Sequence, residues 1–322
     1  MIEMQGNGQK HRILAVVGPT ASGKTALAVA LAKRLGGEVI SCDSMQIYRG
    51  MDIGTAKPTK EECDGVPHHL INVVDPDQAF SVAAYVELAT QAIEEIASRG
   101  SVPILCGGTG LYLDALLRGG LEDTVGDPDL RQSLLEFAGK HGAHALHERL
   151  ALVDPESAAA THENNVKRVV RALEIYEITG VTKSELDRRS RQRETPYNAV
   201  VIGLRYAERE LLYRRIDQRV DKMMQDGLLA ETERLLDARV FEQNATAAQA
   251  IGYKELLTHL RGECSLDVVV EELKRATRRY AKRQLTWFGA KEYVRWIDAE
   301  QNGRVRSLDE LTDEALQIWD NR

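Results

Sequence analysis

Eight residues constrain this chain more than any others. Gly18-Pro19-Thr20-Ala21-Ser22-Gly23-Lys24-Thr25 stands between an apolar run, residues 12–17 (RILAVV), and a segment of helical pattern, residues 26–35. A strand, a glycine-bounded loop and a helix in that order form a phosphate-binding loop. The glycines let the backbone curl so that its N–H groups converge on an anion, and the helix N-terminus adds partial positive charge. Lys24 supplies a mobile ammonium and Thr25 a hydroxyl suited to Mg²⁺. Gly18, Thr20, Ala21, Ser22, Gly23, Lys24 and Thr25 are thus expected to cradle a phosphate or pyrophosphate. The motif does not specify ATP.

The loop also fixes the expected fold class. Apolar runs recur at residues 38–42 (EVISC), 69–74 (HLINVV), 102–106 (VPILC), 199–204 (AVVIGL) and 293–297 (YVRWI), with a helical pattern at 83–98. Strands alternating with helices predict a parallel sheet covered on both faces. Residues 127–193 read as helix after helix, with Asp127-Pro128 and Asp154-Pro155 as start signals. The expectation is an α/β, P-loop NTPase-like parallel-sheet core over 1–120, an all-helical insert over 121–198, and completion of the core with C-terminal helices over 199–322. At 322 residues, 43% apolar, the chain has ample material for a packed core. No apolar run is long enough to span a membrane. Residues 1–12 lack the apolar stretch of a signal peptide. Cys42, Cys63, Cys106 and Cys264 are scattered, which suggests neither a zinc site nor a disulfide pattern and makes a reducing, cytoplasmic setting the expectation. A net charge of −7 confines any nucleic-acid contact to a local basic patch.

Ligands of open α/β sheets sit at the carboxyl ends of the strands. Asp43 follows the EVISC run and is expected beside Lys24, where a carboxylate can accept a proton from a nucleophile; the alternative is a helix N-cap or a Mg²⁺ ligand. Gly107-Gly108-Thr109-Gly110 follows VPILC, where an ordinary P-loop NTPase would often carry an acid. Paired glycines permit close backbone approach to a ligand, or simply a tight turn. His68 and His69 lack partners at metal-ligand spacing and are expected to make structural hydrogen bonds. Residues 273–284 (LKRATRRYAKRQ) hold six basic residues and no acid, and at about 100° per residue the six occupy one half of a helical wheel. Arg278, Lys282 and Arg283 on that face are candidates for a phosphate backbone. Arg214, Arg215 and Arg219 form a further basic patch. On these features alone, a small-molecule kinase with Asp43 activating a hydroxyl is the competing reading.

The segments GPTASGKT (18–25), DSMQIYRGMDIGTAKP (43–58), GVPHHL (65–70), GGTGLYLDALL (107–117), RALEIYEITG (171–180), QAIGYKEL (249–256) and AKRQLTWF (281–288) together resemble the tRNA dimethylallyltransferase family over about residues 12–298. The resemblance implies that the P-loop holds the pyrophosphate of dimethylallyl diphosphate and that Arg219 reaches it. It implies that Asp43 is the general base for an adenine's exocyclic amine and that Thr109 hydrogen-bonds that amine. It implies tRNA contacts from Asp43, Ser44, Met45 and Gln46, from Arg131, from Lys167, Arg168 and Arg171, and from Gln249, Gly252, Tyr253 and Lys254. The implied acceptor is the adenine 3′ of the anticodon in tRNAs reading codons that begin with U. Asn72 stands where the family often has Asp, and His162-Glu163-Asn164-Asn165 where it has His-Pro-Asn-Asp. The absence of a Cys/His tail resembles the bacterial type. A monomer is the expected form.

Overall fold

The computed structural model describes residues 10–119, 126–301 and 303–321. The chain begins with strand β1 (His11–Val17), helix α1 (Lys24–Leu35), β2 (Gly37–Ser41), the single turn α2 (Lys60–Cys63), β3 (His68–His69), α3 (Val82–Ser98), β4 (Val102–Gly107) and α4 (Gly110–Leu117). Helices α5 (Pro128–Val153), α6 (Pro155–Ala160), α7 (Val166–Thr179) and α8 (Lys183–Gln192) follow. The chain then returns through β5 (Tyr197–Arg205), α9 (Arg209–Gln225), α10 (Leu228–Asp237), α11 (Val240–Gln243), α12 (Tyr253–Leu260), α13 (Leu266–Gly289), β6 (Val294–Asp298) and α14 (Leu308–Asp320). A short antiparallel pair, Glu300–Gln301 with Arg304–Val305, lies between β6 and α14.

The main sheet has six strands in the order β3-β2-β4-β1-β5-β6, all parallel. Side chains alternate across a strand, so β1 sends Ile13, Ala15 and Val17 to one face and Leu14 and Val16 to the other. The first face packs on Tyr85 and Ile93 of α3, Leu113 of α4 and Phe288 of α13. The second packs on Leu27 and Leu31 of α1 and on Leu311 and Trp319 of α14. Both faces are covered, which is why the strand reads as an unbroken apolar run. Residues 69–74 read as a strand but pair only at His68–His69. Leu70 and Asn72 have φ of 59° and 58°, left-handed conformations that turn the chain out of the sheet. Only Val74 meets a strand-like partner again, in an isolated bridge to Tyr48.

The chain divides into two compact units. One combines the chain up to Leu117 with the chain from Pro196 onward and contains the sheet. The other is Arg118–Thr195. Its core is Leu134, Leu146 and Leu150 of α5 with Val169, Val170 and Leu173 of α7. Asp127 and Asp154 cap α5 and α6 with their side chains, each followed by a proline at the first helical position. Gly142, at φ 89°, breaks the regular helix within α5.

Candidate active site

The strand order sets the site. Strands β2, β4 and β1 are neighbours, so their carboxyl ends bring Asp43, Gly108-Thr109 and the loop Gly18–Thr25 side by side. The P-loop is held from several directions. Gly18 passes so close to β5 that a β-carbon there would lie 2.8 Å from the Leu204 carbonyl oxygen. Ala21 has φ 62°, uncommon for a residue with a side chain, and its carbonyl accepts from Arg215 Nε at 2.9 Å. The Thr20 amide donates to Gln284 Oε1 at 2.8 Å. The Ser22 hydroxyl is buried and makes no hydrogen bond among the described residues, an orphan donor inside an anion-binding loop. Lys24 Nζ reaches back over the loop to the Pro19 carbonyl at 3.4 Å.

Lys24, Asp43 and Arg219 lie within electrostatic reach of one another. Burial first, and Arg219 second, push the Lys24 amine below the usual lysine range, against the opposing pull of Asp43 and Cys106. Burial likewise lowers Arg219, with Asp43 opposing. Two cations facing each other without a full set of anions are a site short of negative charge, as a diphosphate site should be. Two thiols border the same space and neither is a nucleophile. Burial pushes Cys42 up to about 12 and Cys106 up to about 11, so both stay protonated.

Asp43 uses its two oxygens differently. Oδ1 accepts from the Met45 amide at 2.9 Å and from the Gln46 amide at 3.4 Å, an Asx turn that fixes the carboxylate. Oδ2 accepts no hydrogen bond among the described residues. No helix directly follows Asp43, so the helix cap weighed from sequence is replaced by this turn, which leaves one oxygen for proton transfer. Thr109 Oγ1 accepts from the Ser44 amide at 3.1 Å, which ties the β4 turn to the acid's loop. Tyr280 of α13 lies beside them. Burial and the charge of Asp43 hold its phenol above the ordinary tyrosine range, with Thr109, Arg283 and Gln284 drawing it back. The sequence reading passed over Tyr280 and Gln284. The signal was available: Leu273, Ala281, Gln284 and Phe288 are the buried stripe of α13, and a glutamine on such a stripe needs polar partners.

The segment 43–58 is a loop folded on two charges. Buried Glu231 of α10 accepts from the amides of Asp52, Ile53 and Gly54, each at 3.0 Å, and from the Tyr253 hydroxyl at 2.6 Å. Lys57 Nζ donates to the Tyr48 carbonyl, to Asp52 at 2.7 Å and to Asn72 Oδ1 at 2.6 Å. The amide oxygen of Asn72 thus accepts the bond a carboxylate would. Gln46 turns into this loop, accepting from Ser41 Oγ at 2.9 Å and donating to the carbonyls of Thr55 and Ala56. Met45 packs at the edge of the core.

The residues expected to touch RNA fall into four groups. Lys282, Arg283, Lys167, Arg168, Gln249 and Lys254 are exposed. Arg278 and Lys274 brace α13 against α9, through Asp217 at 2.7 Å and Asp221 at 2.8 Å, so the basic helix is partly neutralised by acids distant in sequence. Arg131 and Arg171 both bind the buried Glu174, at 2.9 and 2.6 Å, inside the helical unit. Tyr253 is a correction: it is fully buried, with its ring against Gly54 and its hydroxyl on Glu231, and no RNA can touch it. Gly252 is buried beside it. His68 and His69 make structural bonds, to the Val66 carbonyl and to Glu38. In the His162–Asn165 string, Glu163 pairs with His144 at 2.7 Å.

A family model described as IPP transferase matches residues 46–291. The chain belongs to the IPP transferase family. A tRNA dimethylallyltransferase of Halalkalibacterium halodurans is 52% identical over 290 residues, 90% of this chain and 91% of that protein. The Bacillus subtilis tRNA dimethylallyltransferase is 51% identical over 293 residues, 91% of this chain and 92% of the relative. The crystal structure of a full-length tRNA isopentenylpyrophosphate transferase from Bacillus halodurans superposes with TM-score 0.70 at 47% identity, covering 97% of this chain and 98% of that one. A eukaryotic dimethylallyltransferase, captured acting on tRNA, superposes with TM-score 0.79 at 29% identity, covering 97% and 80%. Membership of the IPP transferase family disfavours the small-molecule kinase, which rested only on the P-loop and the acid after β2. Among the described residues of this IPP transferase, no helix is long and apolar enough to cross a membrane.

Proposed function

We propose that the chain transfers a dimethylallyl group from dimethylallyl diphosphate to the exocyclic amine of the adenine 3′ of the anticodon, in tRNAs reading codons that begin with U, and releases diphosphate. The observation that carries this reading is the meeting of Asp43 and Thr109 with Lys24 and Arg219 at the ends of three adjacent strands. It pairs a proton acceptor with a cationic anion site. The amine attacks the first carbon of the dimethylallyl group as the carbon–oxygen bond to diphosphate breaks. Allylic carbon tolerates positive charge, so the leaving group needs the most help. Lys24, Arg219 and the loop amides stabilise its developing charge. Oδ2 of Asp43 takes the amine proton, and Thr109 orients the amine. An aryl amine is a weak nucleophile, so alignment contributes as much as proton removal. The base must leave the loop stack to reach these groups.

Among the described residues, no cluster of three or more His, Cys, Asp or Glu side chains could hold a metal. Mg²⁺ commonly takes few protein ligands and completes its shell with phosphate oxygens and water, which suits a site offering only the Thr25 hydroxyl. Bound there, it would neutralise charge on the departing diphosphate. The proposed working form is a cytoplasmic monomer, with the anticodon stem-loop as its macromolecular partner.

The test is transfer of label from dimethylallyl diphosphate to an unmodified anticodon stem-loop. Asp43→Ala is expected to lose about 10²-fold or more in rate, with pyrophosphate binding intact. A parallel loss of binding would refute a base-only role. No label from a folded protein that binds the diphosphate would point to another acceptor, and no diphosphate binding would restore the kinase.

A further inference from the structure

Gln284 is the only side chain among the described residues seen to bond both the P-loop and the β4 turn. Its Oε1 accepts from the Thr20 amide at 2.8 Å, and its Nε2 donates to the Gly108 carbonyl at 3.1 Å. The side chain is 5% exposed. A primary amide carries an acceptor and a donor on one rigid plane, and this position uses both. A carboxylate of the same length would keep the first bond and lose the second; methionine would lose both. Gly108 is shaped to receive it, since a β-carbon there would lie 2.0 Å from Gln284 Nε2. Because the Thr20 amide is occupied, the anion must be cradled by the amides further along the loop.

The bonds continue on either side. Thr109, next to Gly108, accepts from the amide of Ser44, next to Asp43. One turn back on α13, Tyr280 lies beside Thr109 and within electrostatic reach of Asp43. Buried Ala281 belongs to the same small apolar cluster as Ala21 of the P-loop. Helix α13 therefore touches the diphosphate side and the amine side through neighbouring residues of one face.

We propose that Gln284 is a positioning residue that holds the diphosphate-binding loop and the amine-binding turn in register, so that the allylic carbon and the attacking nitrogen meet in line. The proposal rests on the transferase reading above. A residue of this kind acts on alignment, where small displacements cost rate without costing affinity. A glutamine that merely satisfied buried backbone groups would act on stability instead.

The experiment compares the full-length native chain with Q284M, Q284E and G108A, the last pressing on the same amide from the opposite side. Each is measured for thermal unfolding, for inorganic pyrophosphate affinity by calorimetry, and for single-turnover transfer to the stem-loop. The expected result for Q284M is pyrophosphate affinity within about threefold of native and a transfer rate down about 30-fold. G108A is expected to show the same separation of rate from affinity, whereas Q284E, which sets a carboxylate beside the anion loop, is expected to lose rate and some affinity together. A folded Q284M that transfers at the native rate overturns the proposal. So does a fall of the Q284M rate in proportion to its pyrophosphate affinity, which would confine Gln284 to the anion site. If Q284M does not fold, native rates in Q284E and G108A overturn it. A native chain that transfers nothing sinks the transferase reading itself, an outcome distinct from a failure confined to the variants.

Discussion

Lys24 sits half-buried at the start of α1 with the Arg219 guanidinium as a neighbour, and both the burial and the neighbour disfavour its charge. An amine in that position loses its proton at a lower pH than a surface lysine does. A bound diphosphate favours the ammonium and draws the pKa back up. Binding at a pH between the depressed value and the value with diphosphate bound should therefore take up a proton, and affinity should fall as pH rises through the depressed value. Calorimetry of pyrophosphate binding in buffers of different ionisation enthalpy measures the uptake directly. Lys24→Ala should remove the uptake and weaken binding by about 2 kcal/mol, the worth of a charge-assisted hydrogen bond. Uptake that persists in Lys24→Ala would assign it to another group. The lysine was legible because its motif is a spacing of residue types. Arg215, which braces Ala21 of the same loop, was visible in the sequence only as a basic residue. Its bond is made to a backbone carbonyl 194 positions away, and no side-chain pattern records a backbone acceptor.

At the scale of elements, the helical unit is built around a charge. Glu174 of α7 is buried, accepts from Arg131 of α5 and Arg171 of α7, and takes the Asp127 amide at the start of α5 at 3.1 Å. Burial alone would raise its carboxyl; the hydrogen bonds and charges of the two arginines outweigh burial and hold it below the ordinary glutamate range. A carboxyl lowered in the folded state contributes stability above its unfolded pKa and loses it as pH falls through the folded value. Glu174→Gln should cost the α5–α7 pair about 3 kcal/mol at neutral pH, since two cations lose their partner, and should flatten the acid limb of its stability curve. Hydrogen exchange of amides in α7 at pH 7 and in acid reads both effects; unchanged protection would mean that apolar packing alone holds the unit. Much of the fold at this scale was legible, because β1, β2, β4, β5 and β6 are short apolar runs bounded by turns. The strand expected at residues 69–74 was not, since the left-handed backbone at Leu70 and Asn72 leaves no mark on hydrophobicity. The loop 43–58 was recognised as a signature, yet its construction on Glu231 and Lys57 depends on partners far along the chain. Resemblance marked Tyr253 as important and could not say that its importance is internal.

Across the whole molecule, a net charge of −7 means that the average field repels RNA. Any attraction must come from cations left without acids. On α13, Lys274, Arg275 and Arg278 are each paired with a carboxylate, while Arg279 and Lys282 are exposed and form no ion pair among the described residues. Arg283 is also exposed, but its guanidinium lies over the Tyr280 ring, 5.5 Å from its centre, so changing it would disturb the site. Arg279 and Lys282 are therefore the cleaner test of α13 as an RNA-facing element. Each phosphate contact contributes about −0.7 to the slope of log affinity against log salt on single strands and about −0.9 on duplex. Replacing Arg279 and Lys282 together by alanine should weaken stem-loop binding, reduce the magnitude of that slope by about 1.5, and leave pyrophosphate affinity unchanged. Filter binding of the stem-loop from low to physiological salt gives the slope. A double variant with the native slope would remove this face of α13 from the RNA-binding surface and shift the electrostatic burden to the exposed cations elsewhere, Lys167 and Arg168 first among them.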